Sequence, residues 1–288
     1  MIKTRNGDII VTNEGQNKLL EKLYGSVGGR CALKLLTAPK VSELAGKFMD
    51  SGLSKPFIQP FIKRSGIDVS EYNMYDFRSY NDFFTRTVRA DRRPIDTEPT
   101  HFISPCDSKL TVHRISESSV FCIKNSLYRV SDLLRNKSLA DKYRGGLCMI
   151  FRLEVNDYHR YCYIDSGVKS RNYRIDGELH TVNPIALGHY NIYKRNSREW
   201  TVLRTENFGD VTQIEVGAMF VGRIVNHHEK SRIRRGEEKG FFEFGGSTIV
   251  LLTERDRVEI DPDIMQNSAD GFETVVKCGE KIGIKKAE

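Results

Sequence analysis

The chain has 288 residues, of which 39% are hydrophobic and 29% charged, and its formal net charge is +7. This size suits one large domain, or one domain with an added subdomain. No segment has the ~18 consecutive apolar residues of a membrane-spanning helix, and Met1 to Asp8 lack the apolar core of a cleaved signal peptide. The basic charge predicts an anionic partner such as an acidic ligand, a nucleic acid or an anionic membrane face.

The N-terminal part of the chain is predicted to be helical from about residue 14 to residue 65. Leu19, Leu23, Leu44 and Phe48 belong to apolar sets at helical spacing, and glycines and prolines divide the stretch into short helices. The stretch is also basic, and basic amphipathic helices can lie on an anionic bilayer. The same apolar face could instead dock on the rest of the protein, and the sequence leaves both interpretations open. We therefore treat residues 1–75 as an N-terminal helical region and expect it to associate with a membrane.

Residues 76–288 are predicted to form a β-rich domain, after a second short helix around Tyr80–Arg86. Short apolar and β-branched runs separated by turn residues indicate a mostly antiparallel sheet system. The predicted strands are 110–113, 120–123, 147–152, 161–164, 200–203, 212–216 and 247–252, with a last short strand after residue 280. The predicted fold class is α+β, with short N-terminal helices followed by a mostly antiparallel β barrel or sandwich core.

The cysteines argue against a metal site or a disulfide framework. None of them forms a C-x-x-C pair, and scattered single cysteines in a chain of this size fit a reducing cytoplasm. They are Cys31, Cys106, Cys122, Cys148, Cys162 and Cys278. The adjacent His227 and His228 would point to opposite faces of a strand, so we interpret them as part of a polar loop and predict no metal site.

The segment Gly245-Gly246-Ser247-Thr248 is unusual because it places two glycines at the start of a β-branched run. Glycine weakens a strand, so this pair indicates a bend or a close backbone approach. The Ser247 hydroxyl could attack the Gly246 carbonyl and convert the peptide bond into an ester. The alternative is an ordinary β-bulge followed by a strand.

A base for such an attack would have to come from elsewhere in the chain. His159 follows the predicted strand at Leu147 and has a side chain suited to general base catalysis. Asp107 lies in the turn-forming cluster Ser104-Pro105-Cys106-Asp107, where it could stabilise the turn or orient an imidazole. No phosphate-binding loop and no aromatic RNA-binding platform is present, so neither a nucleotide cofactor nor nucleic-acid binding is predicted.

Seven segments occur in an order and spacing that resembles the phosphatidylserine decarboxylases, which are pyruvoyl-dependent enzymes of phospholipid synthesis. They are Phe83-Phe84-Thr85-Arg86 with Arg92-Arg93-Pro94-Ile95, Ser104 to Asp107, Asp157-Tyr158-His159-Arg160, Leu179 to Pro184, Val216-Gly217-Ala218 with Val221-Gly222, Lys239-Gly240 followed by Phe244, and Gly245 to Thr248. The resemblance covers about residues 80–255, and the N-terminal stretch is similar to that of short bacterial members.

The resemblance implies that the chain is a proenzyme that cuts itself between Gly246 and Ser247. Asp107 and His159 would activate Ser247, which would become a covalent pyruvoyl group, leaving a β chain of residues 1–246 and an α chain of residues 247–288. The pyruvoyl group would then decarboxylate phosphatidylserine to phosphatidylethanolamine through a Schiff base. No metal or diffusible cofactor is implied.

Two positions depart from the family pattern. Many relatives have a second histidine three residues after the first, where this chain has Cys162, so the role of that histidine cannot be transferred here. Gly245 stands where many relatives have leucine, which should add backbone freedom without removing the bond to be cut.

The expected partners are phosphatidylserine, an anionic membrane surface and the α and β chains themselves, and a homodimer is one expected state because dimers are common for such folds. The expected location is the cytoplasmic face of the cell membrane. Three alternatives stay open: a pyruvoyl-dependent decarboxylase of another serine lipid or amino acid, a Ser-His-Asp hydrolase that does not cut itself, and an inactive membrane- or ligand-binding barrel. The absence of a G-x-S-x-G elbow counts against the hydrolase.

Overall fold

A computed structural model describes residues 1–10, 39–123, 126–177, 196–217, 223–245 and 247–287. Several sequence predictions lie outside the described residues. They are the helical pattern before residue 39, the motif from Leu179 to Pro184, the residues 218–222, and Gly246.

Three of the six described α-helices lie between residues 39 and 84, before the long run of strands that begins at His101, as the sequence predicts. The described α-helices are α1 (Pro39–Asp50), α2 (Ile58–Ser65), α3 (Tyr80–Phe84), α4 (Val130–Leu134), α5 (Lys137–Asp141) and α6 (Pro262–Ala269), with 3₁₀ turns at Gly52–Phe57 and Val69–Glu71. The Ser79 hydroxyl caps α3 by accepting the Asp82 N–H at 3.1 Å, and Gly66 ends α2 in the left-handed conformation. No described helix is long and apolar enough to cross a bilayer.

The rest of the described chain is mainly strand. The strands are β1 (Ile2–Lys3), β2 (Ile9–Ile10), β3 (His101–Ile103), β4 (Ser108–Arg114), β5 (Val120–Ile123), β6 (Ser126–Arg129), β7 (Leu147–Leu153), β8 (Arg160–Cys162), β9 (Gly167–Lys169), β10 (Tyr173–Ile175), β11 (Arg198–Thr205), β12 (Asp210–Gly217), β13 (Ile224–Asn226), β14 (Ser231–Ile233), β15 (Glu238–Phe242), β16 (Ser247–Thr253), β17 (Val258–Ile260), β18 (Glu273–Val276) and β19 (Lys281–Lys285).

One large sheet organises the domain. Its spatial order is β14-β9-β11-β12-β16-β7-β4-β18-β1-β2, with β10 also on β11. All of its pairs are antiparallel except β1 with β18. In the described ranges the sheet has two open ends, so the α+β, mostly antiparallel prediction is confirmed in its sandwich form and not as a closed barrel.

A smaller sheet of order β13-β15-β8 packs against the large one. Its central strand needs Gly240, because a Cβ there would lie 2.0 Å from the Val225 carbonyl oxygen. This sheet carries the chain to and from the candidate site: β8 begins one residue after His159, and β15 ends three residues before Gly245.

A buried ion pair joins the two sheets. The Lys239 Nζ of β15 lies 2.8 Å from Glu215 Oε1 of β12 and 2.6 Å from Asn226 Oδ1, and both charged side chains are almost completely buried. Burial raises the pKa of Glu215 although Lys239 acts in the opposite direction. Such a pair stabilises a fold little in total, but losing one partner leaves a buried charge.

We therefore expect Lys239→Met to destabilise the protein by about 3–5 kcal/mol, because the Glu215 carboxylate would lose its cation. Thermal unfolding should show a melting temperature several degrees lower. Adding Glu215→Gln to the same variant should recover part of the loss, since it removes the orphaned charge. Lys230→Met, on an exposed lysine, is the control, and equal melting temperatures for the Lys239 and Lys230 variants would contradict the prediction.

Candidate active site

Ser247 is the first residue of β16, in the middle of the large sheet. It pairs with Gly217 on one side and with Leu153 on the other, and it is completely buried. The run that follows it, Ile249 to Leu252, is buried as well, so apolar packing fixes the start of this strand on both sides.

His159 lies on the loop that follows β7, and this loop starts next to the residue that pairs with Ser247. Strand β7 ends at Leu153, directly opposite Ser247, because the two strands are antiparallel. A turn follows in which the Asp157 N–H donates to the Glu154 carbonyl at 2.9 Å. The His159 carbonyl then accepts the Phe242 N–H at 3.0 Å, so His159 lies beside the segment that leads into Gly245.

The hydrogen bonding of His159 fixes its tautomer. The ring Nδ1 lies 3.0 Å from the Asp157 carbonyl oxygen, and a carbonyl can only accept, so Nδ1 carries the proton. Within the described part of the chain, Nε2 makes no hydrogen bond. Its lone pair is therefore free to accept a proton, although the Gly245 carbonyl lies close enough to favour the protonated ring.

The protonation state also suits a base. His159 is completely buried, and burial lowers the pKa of its imidazole to about 3, against smaller opposing effects of the Asp157 and Gly245 carbonyls. The positive charges of Arg86 and Lys109 lower it further. At neutral pH the ring is therefore neutral.

Aromatic side chains of the N-terminal region cover this base. The Phe84 ring lies 4.2 Å from the His159 ring and 5.3 Å from the Phe244 ring, measured between centroids. The Asn81 Oδ1 accepts the Phe244 N–H at 2.9 Å. Helix α3 thus binds the segment just before Gly245 and excludes water from it.

Gly245 has a backbone conformation that favours glycine, with φ of 137°. The leucine that the family pattern has at this position would be strained at this angle. The local backbone conformation therefore favours glycine over leucine at position 245.

The Ser247 hydroxyl has no hydrogen-bond partner among the described residues, and neither does the hydroxyl of Thr248. A buried hydroxyl without a partner loses about 1–3 kcal/mol relative to water. The Ser247 Oγ and the His159 Nε2 are therefore both buried without a hydrogen-bond partner among the described residues. The sequence predicts these two groups as the nucleophile and the base.

Asp107 lies in a different set of contacts. Its carboxylate accepts two hydrogen bonds from Arg93 Nε at 2.8 and 3.0 Å and one from Arg93 Nη2 at 2.7 Å, and it also accepts the Cys278 N–H at 2.9 Å. Burial acts to raise the pKa of Asp107, but Arg93 and Lys277 outweigh it and the pKa is lowered. In the described chain no hydrogen bond joins Asp107 to His159.

The turn that carries His159 is held by a residue close to Asp107 in the chain. Lys109, in β4, places its Nζ 2.7 Å from both carboxylate oxygens of Asp157. Asp157 in turn supplies the carbonyl that binds His159. Arg86 also donates to the Asn156 carbonyl at 3.2 Å, so two buried cations hold the turn that positions the base.

Sequence reasoning quoted Arg86, Arg93 and Asp157 within motifs but gave them no role, and it did not single out Lys109. A usable signal was present, because a buried carboxylate needs a cation and basic residues accompany both acidic motifs. What the sequence could not give is which cation reaches which acid.

Comparisons with known proteins agree with these motifs. The family model described as phosphatidylserine decarboxylase matches residues 80–284. The chain is 45% identical to "Phosphatidylserine decarboxylase proenzyme 2" of Clostridium acetobutylicum over 277 residues, which is 96% of this chain and 95% of that protein. It is 39% identical over 95% of its length to a phosphatidylserine decarboxylase proenzyme of Clostridium botulinum, of which 94% is covered. It is 41% identical over 98% of its length to another such proenzyme of Ruminiclostridium cellulolyticum, of which 95% is covered.

The neutral, buried His159 predicts a pH dependence of stability. Its pKa falls from 6.5 to about 3 on folding, so the unfolded chain takes up the proton first and stability is lost as the pH falls between those values. From about pH 7 to about pH 5, this single group should remove about 2 kcal/mol of unfolding free energy. His159→Asn should abolish that part of the slope.

Urea unfolding at several pH values measures this difference. Both proteins should carry Ser247→Ala, so that each stays one continuous chain. His113 also has a pKa lowered by burial, to about 4, and it contributes equally to both proteins. Identical pH slopes with and without His159 would mean that the imidazole is not held neutral.

Proposed function

This chain belongs to the phosphatidylserine decarboxylase family, and we propose that it is a proenzyme that cuts itself and then converts phosphatidylserine to phosphatidylethanolamine and CO2. The proposal rests on two buried atoms that have no hydrogen-bond partner, one on Ser247 at the start of β16 and the other on His159. Ser247 Oγ and His159 Nε2 have no hydrogen-bond partner in the described chain, and family membership explains why they should stay unpaired.

In the first reaction His159 acts as the base. Its Nε2 takes the proton of the Ser247 hydroxyl, and Oγ attacks the Gly246 carbonyl carbon. The C–N bond breaks and the amine takes up a proton, which leaves an ester between Gly246 and the Ser247 side chain. The completely buried site keeps water from hydrolysing this ester.

The ester then breaks by β-elimination. Loss of the Ser247 Cα proton releases the Gly246 carboxylate and leaves dehydroalanine at the new N-terminus. One water molecule replaces its nitrogen, so that ammonia leaves and a pyruvoyl group remains. The products are the β chain, residues 1–246, and the α chain, residues 247–288.

The position of Ser247 suits such a group. The residue begins a buried strand, and its hydroxyl has no hydrogen bond in the described ranges, so losing the hydroxyl breaks no described contact. When formed, the pyruvoyl group supplies an electrophilic carbonyl for the substrate amine and an electron sink for loss of CO2. His159 Nε2 is the atom that would hold and return the proton.

We assign Asp107 to the same site as its acidic residue. Its carboxylate binds Arg93 and the Cys278 N–H, and Lys109, two residues further along the chain, binds the turn before His159. The proposed role is to orient the base through the short chain segment that leads from Asp107 to Lys109.

The N-terminal helices supply the proposed membrane contact. One of their faces packs through Ile58 and Phe61 on the aromatic residues of α3. Another leaves Leu44, Leu53 and Phe57 exposed, at 71%, 76% and 54% of their surface. The basic residues Lys63 and Arg64 are exposed near them, which is the pattern of a helix pair lying in an anionic interface. We propose that this face docks on the cytoplasmic side of the cell membrane and presents the site to its lipid substrate.

Self-cleavage is the decisive test. Intact-mass analysis of freshly purified protein should find two fragments divided after Gly246, with the smaller one blocked to Edman sequencing. Ser247→Ala and His159→Ala should each leave one uncut chain. A folded wild-type chain that stays intact would contradict the proposal, and labelling of that intact chain by a fluorophosphonate would favour a serine hydrolase.

The matched control uses a similar residue outside the site. His113→Ala changes another histidine, which is half-buried and has a lowered pKa, and should leave cleavage unchanged.

Asp107→Asn changes a residue assigned to the site and should slow cleavage while the protein is folded. If it lowers only the melting temperature and cleavage stays normal, Asp107 is a structural anchor for Arg93 and has no part in the reaction.

Membrane docking is tested by co-sedimentation with vesicles that contain phosphatidylserine. Leu53→Glu with Phe57→Glu should reduce binding about tenfold or more, because two large apolar side chains leave the interface. Val168→Glu, on a side chain that is 40% exposed in the sheet domain, is the control. Higher salt should weaken the electrostatic part, and unchanged binding of the double variant would contradict this face.

A further inference from the structure

Two cysteine thiols meet beside Asp107. The Sγ atoms of Cys162 and Cys278 lie 3.7 Å apart, and both residues are buried. Both approach the same short segment: the Cys162 N–H donates to the Pro105 carbonyl at 2.9 Å, and the Cys278 thiol lies 3.5 Å from the same oxygen. The backbone around Pro105 therefore fixes the two side chains relative to each other.

These two cysteines come from the two sides of the proposed cut. Cys162 ends β8 in residues 1–246, and Cys278 follows β18 in residues 247–288. A bond between them would join the β chain to the α chain after processing. This consequence rests on the proposed self-cleavage, whereas the contact between the thiols does not.

One of the two sulfurs can be reached from solvent. Cys278 is 7% exposed and lines an open cleft of about 760 Å³ together with Arg92, Ile95 and Lys277. Cys162 is more deeply buried, at 3% exposure. A small oxidant should therefore meet Cys278 first and Cys162 second.

We infer that Cys162 and Cys278 form a disulfide-forming site that can link the two chains covalently beside the active site. The oxidant is a low-molecular-weight disulfide. The Cys278 thiolate attacks one of its sulfurs and releases one thiol, and the Cys162 thiolate then attacks Cys278 Sγ and releases the second thiol. Both cysteines are oxidised, and the oxidant is reduced to two thiols. The sulfurs must approach from 3.7 Å to ~2.05 Å.

The test uses 2-hydroxyethyl disulfide, a small neutral probe, on the purified processed enzyme. The Cys162 contact and burial raise the pKa of Cys278, so the exchange is run at alkaline pH and then quenched by alkylation. Peptide mapping without reduction should find the Cys162 and Cys278 peptides joined, with the loss of two hydrogen atoms. On a denaturing gel the chains should migrate together without reductant and separate with it.

Three variants make the result specific. Cys162→Ala and Cys278→Ala should each abolish the link. Cys106→Ala should keep it, although Cys106 is also buried and close enough to interact electrostatically with Cys278. A wild-type protein that gives no joined peptide, or that stops as a stable mixed disulfide on Cys278, would overturn the inference.

Failure of the proposed function would give a different result. If the chain did not cut itself, the gel would show one full-length chain with and without reductant. The joined peptide would still be found after digestion. The two proposals are therefore tested separately in one experiment.

Discussion

The pairing of β16 with β7 is the constraint on which the site depends. Because the strands are antiparallel, the end of β7 at Leu153 lies opposite the start of β16 at Ser247. The chain that leaves β7 must therefore turn beside Ser247, and this turn carries His159. A shift of one residue in the register would move Ser247 to the other face of the sheet and separate the two groups. The continuous burial of both strands is what prevents that shift.

The site is held in an unfavourable state by the structure around it. A neutral imidazole and a hydroxyl that are both buried without a partner lose hydrogen bonds that water would provide. Several buried charges offset this by holding the surrounding backbone: Lys109 on Asp157, Arg93 on Asp107, and Lys239 on Glu215 between the sheets. Each is paired at close range, so the charged groups are satisfied while the two reactive atoms are not.

The sequence predicted the local pattern well because alternation and turn residues are local signals. The strands at 147–152, 120–123 and 247–252 and the helix at Tyr80 were all predicted within about two residues. The acidic partner is different. A motif predicts Asp107 at the site, but its hydrogen bonds go to Arg93 and Cys278, which lie 14 and 171 residues away in the sequence. The N-terminal helices show the same limit. Their amphipathic pattern left membrane association and docking on the protein as alternatives. In the structure the helices pack on α3 and also leave other apolar side chains exposed.

The position of the proposed cut also explains how a two-chain protein could persist. The segment after Ser247 does not lie at the edge of the fold: β16 is between β12 and β7, β18 is between β4 and β1, and β19 is between β17 and β3. Removing this segment would remove β16, β18 and β19, each of which is hydrogen-bonded to a strand on both sides. Contacts beside the site tie the same segment to the larger chain, since Asp107 accepts the Cys278 N–H and lies 3.4 Å from Lys277 Nζ. A backbone break at the first residue of β16 leaves all of these interactions in place. The sheet therefore allows one peptide bond to be lost without loss of the fold, which is the condition that a self-processing chain has to meet.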